Sequence, residues 1–165
     1  MHSIGERVVY GAGGVMEIVD LREISVGDVS RSYYVLREVG ATSMSETLIP
    51  TDNDALVSQM RPLLSSGELI SVVRRAKTEP LPEWISDNRK RAESFKATLA
   101  SGDRCELMKM ILSIREAGKR RGEEGKKNFL SDENAMRKAE RLLYSEISIV
   151  MGIPFDEVGS FVDSI

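Results

Sequence analysis

One tryptophan and a group of cations lie close together in the middle of the chain. Trp84 is the only tryptophan among the 165 residues. It is followed by three cations, Arg89, Lys90 and Arg91. An indole ring can stack on a nucleobase, and Lys or Arg side chains can hold phosphates without reading the base sequence. This combination suits a nucleic-acid contact, in which Lys96 can join the three cations. The other interpretation is that Trp84 caps a helical core and that the cations form a solvated helix face.

Charge is distributed unevenly along the chain. The formal net charge is −3, yet residues 84–127 carry 12 Lys or Arg against 7 Asp or Glu, and residues 128–165 carry 3 against 7. A local surplus of cations suits contact with a polyanion. The overall acidity argues against a protein that coats bulk DNA by itself, so an independent nucleoid-associated DNA binder is a remoter alternative.

Residues that build common catalytic and metal sites are scarce. The single histidine, His2, and the single cysteine, Cys105, exclude a Ser-His-Asp triad, a Cys-His pair and a Cys/His zinc site. The "GAGG" stretch lacks the lysine and hydroxyl of a phosphate-binding loop. We therefore expect no enzyme, no metal and no cofactor, and we expect Cys105 to be buried. The sequence shows no apolar leader and no membrane-spanning run, which predicts a cytoplasmic protein without membrane contact.

The first half of the chain has the alternating pattern of β-strands. The runs "ERVVYG", "GVMEIVDLREI", "RSYYVLREV" and "SETLIP" predict four strands. Gly11, Gly13 and Gly14 suit a tight turn between the first two. Short strands joined by short turns close most economically into a barrel. We predict an α+β protein with a small N-terminal antiparallel SH3-like or Tudor-like β-barrel followed by a C-terminal all-α helical domain.

After Pro82 the apolar period becomes helical. One short helix, "SGELISVVRRAK", is predicted before Pro82, and four are predicted after it: "WISDNRKRAESFKATLASG", "CELMKMILSIREAGKRRG", "DENAMRKAERLLYSEISIVMG" and "PFDEVGSFVDSI". The expected helix-start and helix-end residues are Ser65 with Glu68, Asp103 with Glu106, Ser131, Gly102 and Gly152. In the last helix we expect Phe155, Val158 and Val162 to face inward. Because three glycines interrupt residues 118–127, we predict a connector there, with a second phosphate contact as the alternative.

The change of pattern predicts three regions. Residues 1–64 form the barrel, and residues 65–83 form a short helix and a connector bounded by Pro80 and Pro82. Residues 84–165 form the helical domain, which begins at Trp84.

Several stretches occur in the order and spacing of one bacterial family. They are "GERVVYGAGGVMEI", "YYVL" before "LIPTDN", the tryptophan, "LASGD" and "AERLLYSEI". Through these stretches the chain resembles the CarD/CdnL family of bacterial transcription regulators. The resemblance extends over nearly the whole chain. The N-terminal module of that family is similar to the RNA-polymerase-interacting domain of the transcription-repair coupling factor.

The resemblance implies a monomer with two binding partners. Its Tudor-like barrel would dock on the β subunit of RNA polymerase, and its helical domain would touch promoter DNA at the minor groove and fork without sequence specificity. The implied role is stabilisation of the melted promoter complex, so the protein would associate with the nucleoid through the polymerase.

The resemblance also assigns residues to the polymerase contact. Arg22 in "DLREI" matches a basic position of the family's docking surface. We place the rest of this contact in "TLIP", on Leu48, Ile49 and Pro50. At Leu48 many members have an arginine. The family also places a basic pair close behind its tryptophan, whereas residues 85–87 intervene here.

Together these features predict a polymerase-bound regulator that stabilises the open promoter complex by wedging Trp84 at the upstream fork of the bubble. One base at the fork has already lost a stacking partner, and an indole can take that partner's place. Stacking of an aromatic ring on a base contributes about 1–3 kcal/mol to the free energy of binding. The alternative is a protein-protein adaptor with a Tudor-like barrel and no direct role at DNA.

Overall fold

The chain divides into two compact units, Met1–Leu63 and Leu64–Ile165. The computed structural model describes residues 1–11 and 14–165. Gly13, one of the glycines predicted to turn the chain, lies outside the described residues. The helix that we placed beside the proline-bounded connector belongs to the second unit.

The first unit is an antiparallel sheet. Its described strands are β1 (Arg7–Val9), β2 (Val15–Val26), β3 (Val29–Glu38), β4 (Thr47–Pro50) and β5 (Arg61–Pro62). Their order across the sheet is β4-β3-β2-β1-β5. The four predicted strands are confirmed, and β5 and the short helix α1 (Asp54–Val57) are additional. A two-residue strand that contains a proline gives little sequence signal, and prolines in sheets belong at edges such as this one.

The long β2-β3 hairpin depends on one glycine. Val26 pairs with Val29, so residues 27 and 28 make a two-residue turn. Gly27 has φ 64°, the positive value that such turns require at their first central position.

Alternation along the strands builds a core on one face of the sheet. The buried residues that pack together are Val8, Met16, Ile18, Tyr34, Leu36, Ile49 and Met60. A register shift between Ile18 and Asp20 marks a bulge in β2.

The second unit consists of helices. They are α2 (Ser66–Thr78), α3 (Asn88–Ser101), α4 (Arg104–Glu123), α5 (Leu130–Met151), a 3-10 turn (Phe155–Glu157) and α6 (Val158–Ser164). Their apolar stripes meet in one core, which includes Leu69, Ile111, Leu143 and Ile147. The predicted α+β fold, a Tudor-like sheet followed by a helical domain, is confirmed. Cys105 is buried in this core, as predicted.

Several helix boundaries follow the predicted signals. Ser65 and Glu68 form a reciprocal capping box at α2. The Asp103 carboxylate accepts the Glu106 amide at α4. Gly102 ends α3 with φ 62°. Gly152 ends α5 with φ 69°.

Four predictions about the helical unit are wrong. Helix α3 begins at Asn88 rather than at Trp84, and α5 follows Phe129 rather than a Ser131 cap. Helix α4 continues to Glu123, so more than half of the predicted connector 118–127 is helical. In the terminal segment Val158 and Val162 are buried as predicted, but Phe155 is 47% exposed.

A buried carboxylate ties the start of the second unit to its helices. Glu146 is 1% exposed and accepts two hydrogen bonds from the Arg104 guanidinium, at 2.6 and 2.9 Å. It also accepts the Leu64 amide at 2.9 Å.

Among the described residues, no helix is long and apolar enough to cross a membrane.

Candidate functional site

Trp84 lies in the extended segment between α2 and α3, not inside a helix. Its indole is half-buried and packs against the helical core. The nearest aromatic partner is Phe95 of α3, with ring centroids 6.1 Å apart and the ring planes tilted by 57°. One part of the ring is therefore a packing contact and the other part is accessible, which combines the two interpretations given by the sequence.

The three residues that separate Trp84 from its cations form the start of α3. The Asp87 side chain accepts the Lys90 amide at 2.9 Å, which is an N-cap. Such a cap satisfies one of the amides that a helix leaves unbonded at its start. Residues 85–87 therefore set where α3 begins relative to the indole.

Arg91, one of the predicted phosphate contacts, is buried. Its relative exposure is 2%, and its Nε donates to Asp132 at 3.0 Å. Asp132 is only 6% exposed. Nη1 of Arg91 donates to the Ile85 carbonyl at 2.9 Å, and Nη2 donates to the Asn88 side chain at 2.8 Å. This burial corrects the assignment, because the guanidinium has no free surface for a phosphate.

Two aromatic rings lie close to that guanidinium. The Arg91 Cζ atom is 4.8 Å from the Trp84 ring centroid and 5.2 Å from that of Phe129. The Phe129 ring also contacts Arg121, whose Cζ atom is 4.1 Å from its centroid. The end of α4 and the start of α5 thus reach the surroundings of the tryptophan.

The other three predicted phosphate contacts are on the surface of α3. Lys90 and Lys96 are exposed. The Arg89 side chain is 91% exposed, and it forms an ion pair with Glu93, one helical turn away at 3.5 Å. An exposed pair of this kind contributes little and is easily exchanged for another anion. Arg89 and Lys90 lie in the first turn of α3, where the helix dipole also favours negative charge.

Two cavities border Trp84. One, of about 70 Å³, lies between the indole, α3 and α4, and is lined by Phe95, Thr98 and Met110 among others. The other, of about 240 Å³, includes Glu116 and Arg120 of α4. The predicted connector region therefore brings a cation, Arg120, beside the indole.

Sequence reasoning missed the partners of Arg91, although one signal was available. Arg91, Phe95 and Leu99 recur at intervals of four, the spacing of a single helix face. Phe95 and Leu99 pack against the core, so a residue on their stripe is expected to point inward. Asp132 and Phe129 carried no comparable signal, because only the tertiary packing brings α5 next to α3.

The residues predicted to contact polymerase divide between the two faces of the first unit. Tyr33 pairs with Pro50 and Arg22, and Tyr34 pairs with Ile49. Because successive side chains of a strand point to opposite faces, Pro50, Leu48 and Arg22 share one face and Ile49 points to the other. Ile49 is 0% exposed in the core, whereas Leu48 is 40% exposed. Ile49 is therefore corrected from a polymerase contact to a core residue.

An ionic network holds Arg22 on this face. Its Nη1 donates to Glu46 at 3.0 Å, and Nη2 of Arg37 donates to the same carboxylate at 2.7 Å. A weaker contact joins Arg22 to Asp20 at 3.6 Å. Hydrogen bonds from the two guanidinium groups lower the pKa of Glu46 below its ordinary value, and the bond to Glu46 raises the pKa of Arg22. The network fixes a cation on the face of the sheet that also carries the exposed Leu48.

Comparison with known families identifies the first unit. Residues 2–63 match the family model of the CarD-like/TRCF RID domain. The match covers the sheet and α1 and includes Arg22, Leu48 and Glu46. A search of curated proteins found no match.

Proposed function

We propose that this chain, whose N-terminal unit is a CarD-like/TRCF RID domain, is a non-enzymatic transcription regulator that binds RNA polymerase and stabilises the open promoter complex. In this proposal the first unit docks on the polymerase β subunit. The second unit places Trp84 at the upstream fork of the melted DNA. The protein acts as a cytoplasmic monomer and reaches the nucleoid through the polymerase.

The observation that carries the proposal is the match of residues 2–63 to a domain family that includes RNA-polymerase-interacting domains. This match supports a polymerase-interacting protein. The face with Arg22, Leu48 and Pro50 suits the docking, because it carries both a fixed cation and exposed apolar surface.

The role at DNA rests on the surroundings of Trp84. The half-buried indole packs against Phe95 and Arg91 and is partly exposed, so its exposed part can contact a base without loss of this packing. Stacking on one base is worth about 1–3 kcal/mol, similar to the few kcal/mol that unstacking a base step costs. Such a surface is most effective where the DNA is already opening.

Phosphates near the fork would be held by the exposed cations of α3. Arg89 and Lys90 lie at the helix start, and Lys96 lies further along the same helix. Contacts of this kind position the protein and weaken with salt, but they do not read sequence.

Tethering makes a weak DNA contact effective. The barrel holds the helical unit near the fork, which raises its local concentration without adding intrinsic affinity for DNA. We therefore expect weak, nonspecific binding to free DNA and a strong effect on the polymerase-promoter complex.

The test is an open-complex lifetime assay with purified polymerase, run together with a polymerase-binding assay. Arg22→Glu, which places an anion beside Glu46, should abolish both polymerase binding and the lifetime effect. Trp84→Ala should keep polymerase binding and lose the lifetime effect. A Trp84→Ala variant that binds polymerase and lengthens the lifetime as the wild type does would overturn the role at DNA.

The same assay tests the adaptor alternative. An adaptor needs the barrel but not the cations of α3, so reversing the charge at Arg89 and Lys90 would leave every DNA-dependent readout unchanged. Our proposal expects the double reversal to shorten the open-complex lifetime while polymerase binding persists.

A further inference from the structure

We infer that Arg91 is a positioning residue for Trp84. Its buried guanidinium contacts the Trp84 and Phe129 rings, is anchored on Asp132, and fixes the orientation in which the indole is presented. The consequence for promoter DNA rests on the proposed function, but the positioning itself belongs to the free protein.

The hydrogen bonds of Arg91 leave its guanidinium little freedom. All three nitrogens have partners: Nε with Asp132 at 3.0 Å, Nη1 with Ile85 at 2.9 Å and Nη2 with Asn88 at 2.8 Å. Because the guanidinium is a rigid planar fork, three bonds in different directions fix the orientation of its plane. The Asp132 partner comes from α5, so the plane is set relative to a second helix and not only to α3.

That fixed plane is in contact with the indole. The distance from Cζ to the Trp84 centroid is 4.8 Å, within the roughly 6 Å over which a cation attracts an aromatic face. Phe129 lies 5.2 Å from the same atom, so the guanidinium contacts a second aromatic ring as well. Arginine suits such a site better than lysine, since it can stack and donate several hydrogen bonds at once.

Arg91 also holds the backbone next to Trp84. Its Nη1 donates to the carbonyl of Ile85, the residue after the tryptophan, and approaches that of Ser86 at 3.4 Å. One side chain therefore restrains both the ring and the peptide that follows it. Phe95, the other partner of the ring, lies on α3 one turn after Arg91.

The ion pair of Arg91 with Asp132 distinguishes a positioning role for Arg91 from a direct contact with phosphate. Asp132 neutralises Arg91 inside the protein, and their side chains are 9% and 2% exposed. A phosphate could reach the guanidinium only after this pair had separated, which leaves a buried charge without its partner. Arg91 thus acts on DNA through Trp84, whereas Arg89 and Lys90 act directly.

The tryptophan itself provides the test, because Trp84 is the only one in the chain and its fluorescence reports this site alone. The variant is Arg91→Lys, which keeps the charge but loses the planar fork. The matched control is Arg137→Lys on α5, where the exposed arginine bonds to Asn134 at 3.4 Å. The measurements are acrylamide quenching and fluorescence anisotropy of the free protein, after circular dichroism has shown that each variant is folded.

We expect Arg91→Lys to increase the population of undocked indole about fivefold, since a contact of this kind contributes about that factor. Quenching then rises and anisotropy falls, while the control matches the wild type. A folded Arg91→Lys protein with wild-type quenching and anisotropy would overturn the inference.

A second variant keeps the test decisive if Arg91→Lys fails to fold. The double substitution Arg91→Met with Asp132→Leu replaces the buried ion pair by apolar residues of similar size, an exchange that often preserves stability. It should mobilise Trp84 in the same way, and an unchanged indole in this folded variant would contradict the inference equally.

A double-mutant cycle on open-complex lifetime tests the route to DNA. Arg91→Lys should shorten the lifetime when Trp84 is present and have no further effect in a Trp84→Ala protein. Shortening of equal size in both backgrounds would mean that Arg91 contacts DNA directly and would overturn the inference. If Trp84→Ala alone leaves the lifetime unchanged, the proposed function fails, and the fluorescence measurement still decides whether Arg91 positions the indole.

Discussion

Neighbouring cations of one basic run have different roles, because a helix turns successive side chains by about 100°. Arg89 and Lys90 are on the surface, whereas Arg91 is inside and paired with Asp132. The charge pattern of the sequence predicted one group of phosphate contacts. The spacing of Arg91 to Phe95 and Leu99 was the better guide, since burial follows the apolar stripe of a helix.

The same distinction holds in strand β4 and leads to a prediction. Ile49→Ala removes a fully buried side chain and should cost about 2–5 kcal/mol in the free energy of unfolding. Leu48→Ala, one residue earlier on the opposite face, should change that free energy by less than about 0.5 kcal/mol. Urea unfolding followed by circular dichroism measures both. Equal costs at the two positions would contradict the placement of Ile49 in the core.

Glu46 gives the docking face a predictable dependence on pH. Its pKa is lowered in the folded protein by hydrogen bonds from Arg22 and Arg37. Such a group stabilises the fold above the ordinary value of 4.5, and this contribution is lost as the pH falls below that value through the lowered pKa. At neutral pH, Glu46→Gln should therefore lower the unfolding midpoint, and the difference from the wild type should shrink on acidification.

The control for Glu46 is an exposed carboxylate of the same sheet. Glu23→Gln on β2 should leave the unfolding midpoint nearly unchanged at neutral and acidic pH. If the difference in unfolding midpoint between wild type and Glu46→Gln stayed constant as the pH fell, the Glu46 carboxylate would not be the source of the pH dependence.

At the scale of the elements, paired local signals predicted boundaries well. The capping box of Ser65 and Glu68 and the glycine stops at Gly102 and Gly152 depend on neighbouring residues, and all are confirmed. Ser131 is not the cap because α5 begins two residues earlier than predicted, where the Phe129 ring lies against Arg91 and Arg121. Such tertiary contacts leave no local signal in the sequence.

The start of α3 is the element that sets the distance between the indole and the surface cations. Asp87→Ala removes the side-chain bond to the Lys90 amide and should destabilise the helical unit by about 1 kcal/mol. Asp87→Ser, which can still cap, should recover most of this loss. Thermal unfolding of the two variants makes the comparison, and equal losses would show that the cap contributes nothing.

At the scale of the whole molecule, the two units were predictable to different depths. For the first unit, the alternating strand pattern and the resemblance of its sequence to one family both predicted the fold. The family match covers residues 2–63 of this unit. The helical unit lies outside that match, and its site is assembled from α3, α4 and α5. A sequence predicts each of these helices, but not which side chains meet when they pack.

The central claim is that the first unit binds polymerase and the second places Trp84 at the fork. The lifetime of the open complex tests this claim most directly. The measurement follows decay of a polymerase-promoter complex after competitor is added, with wild-type or Trp84→Ala protein at saturating concentration. We predict that the wild type lengthens the lifetime at least about fivefold more than Trp84→Ala, as expected for one lost stacking contact. Equal lifetimes with two folded, polymerase-bound proteins would contradict the claim.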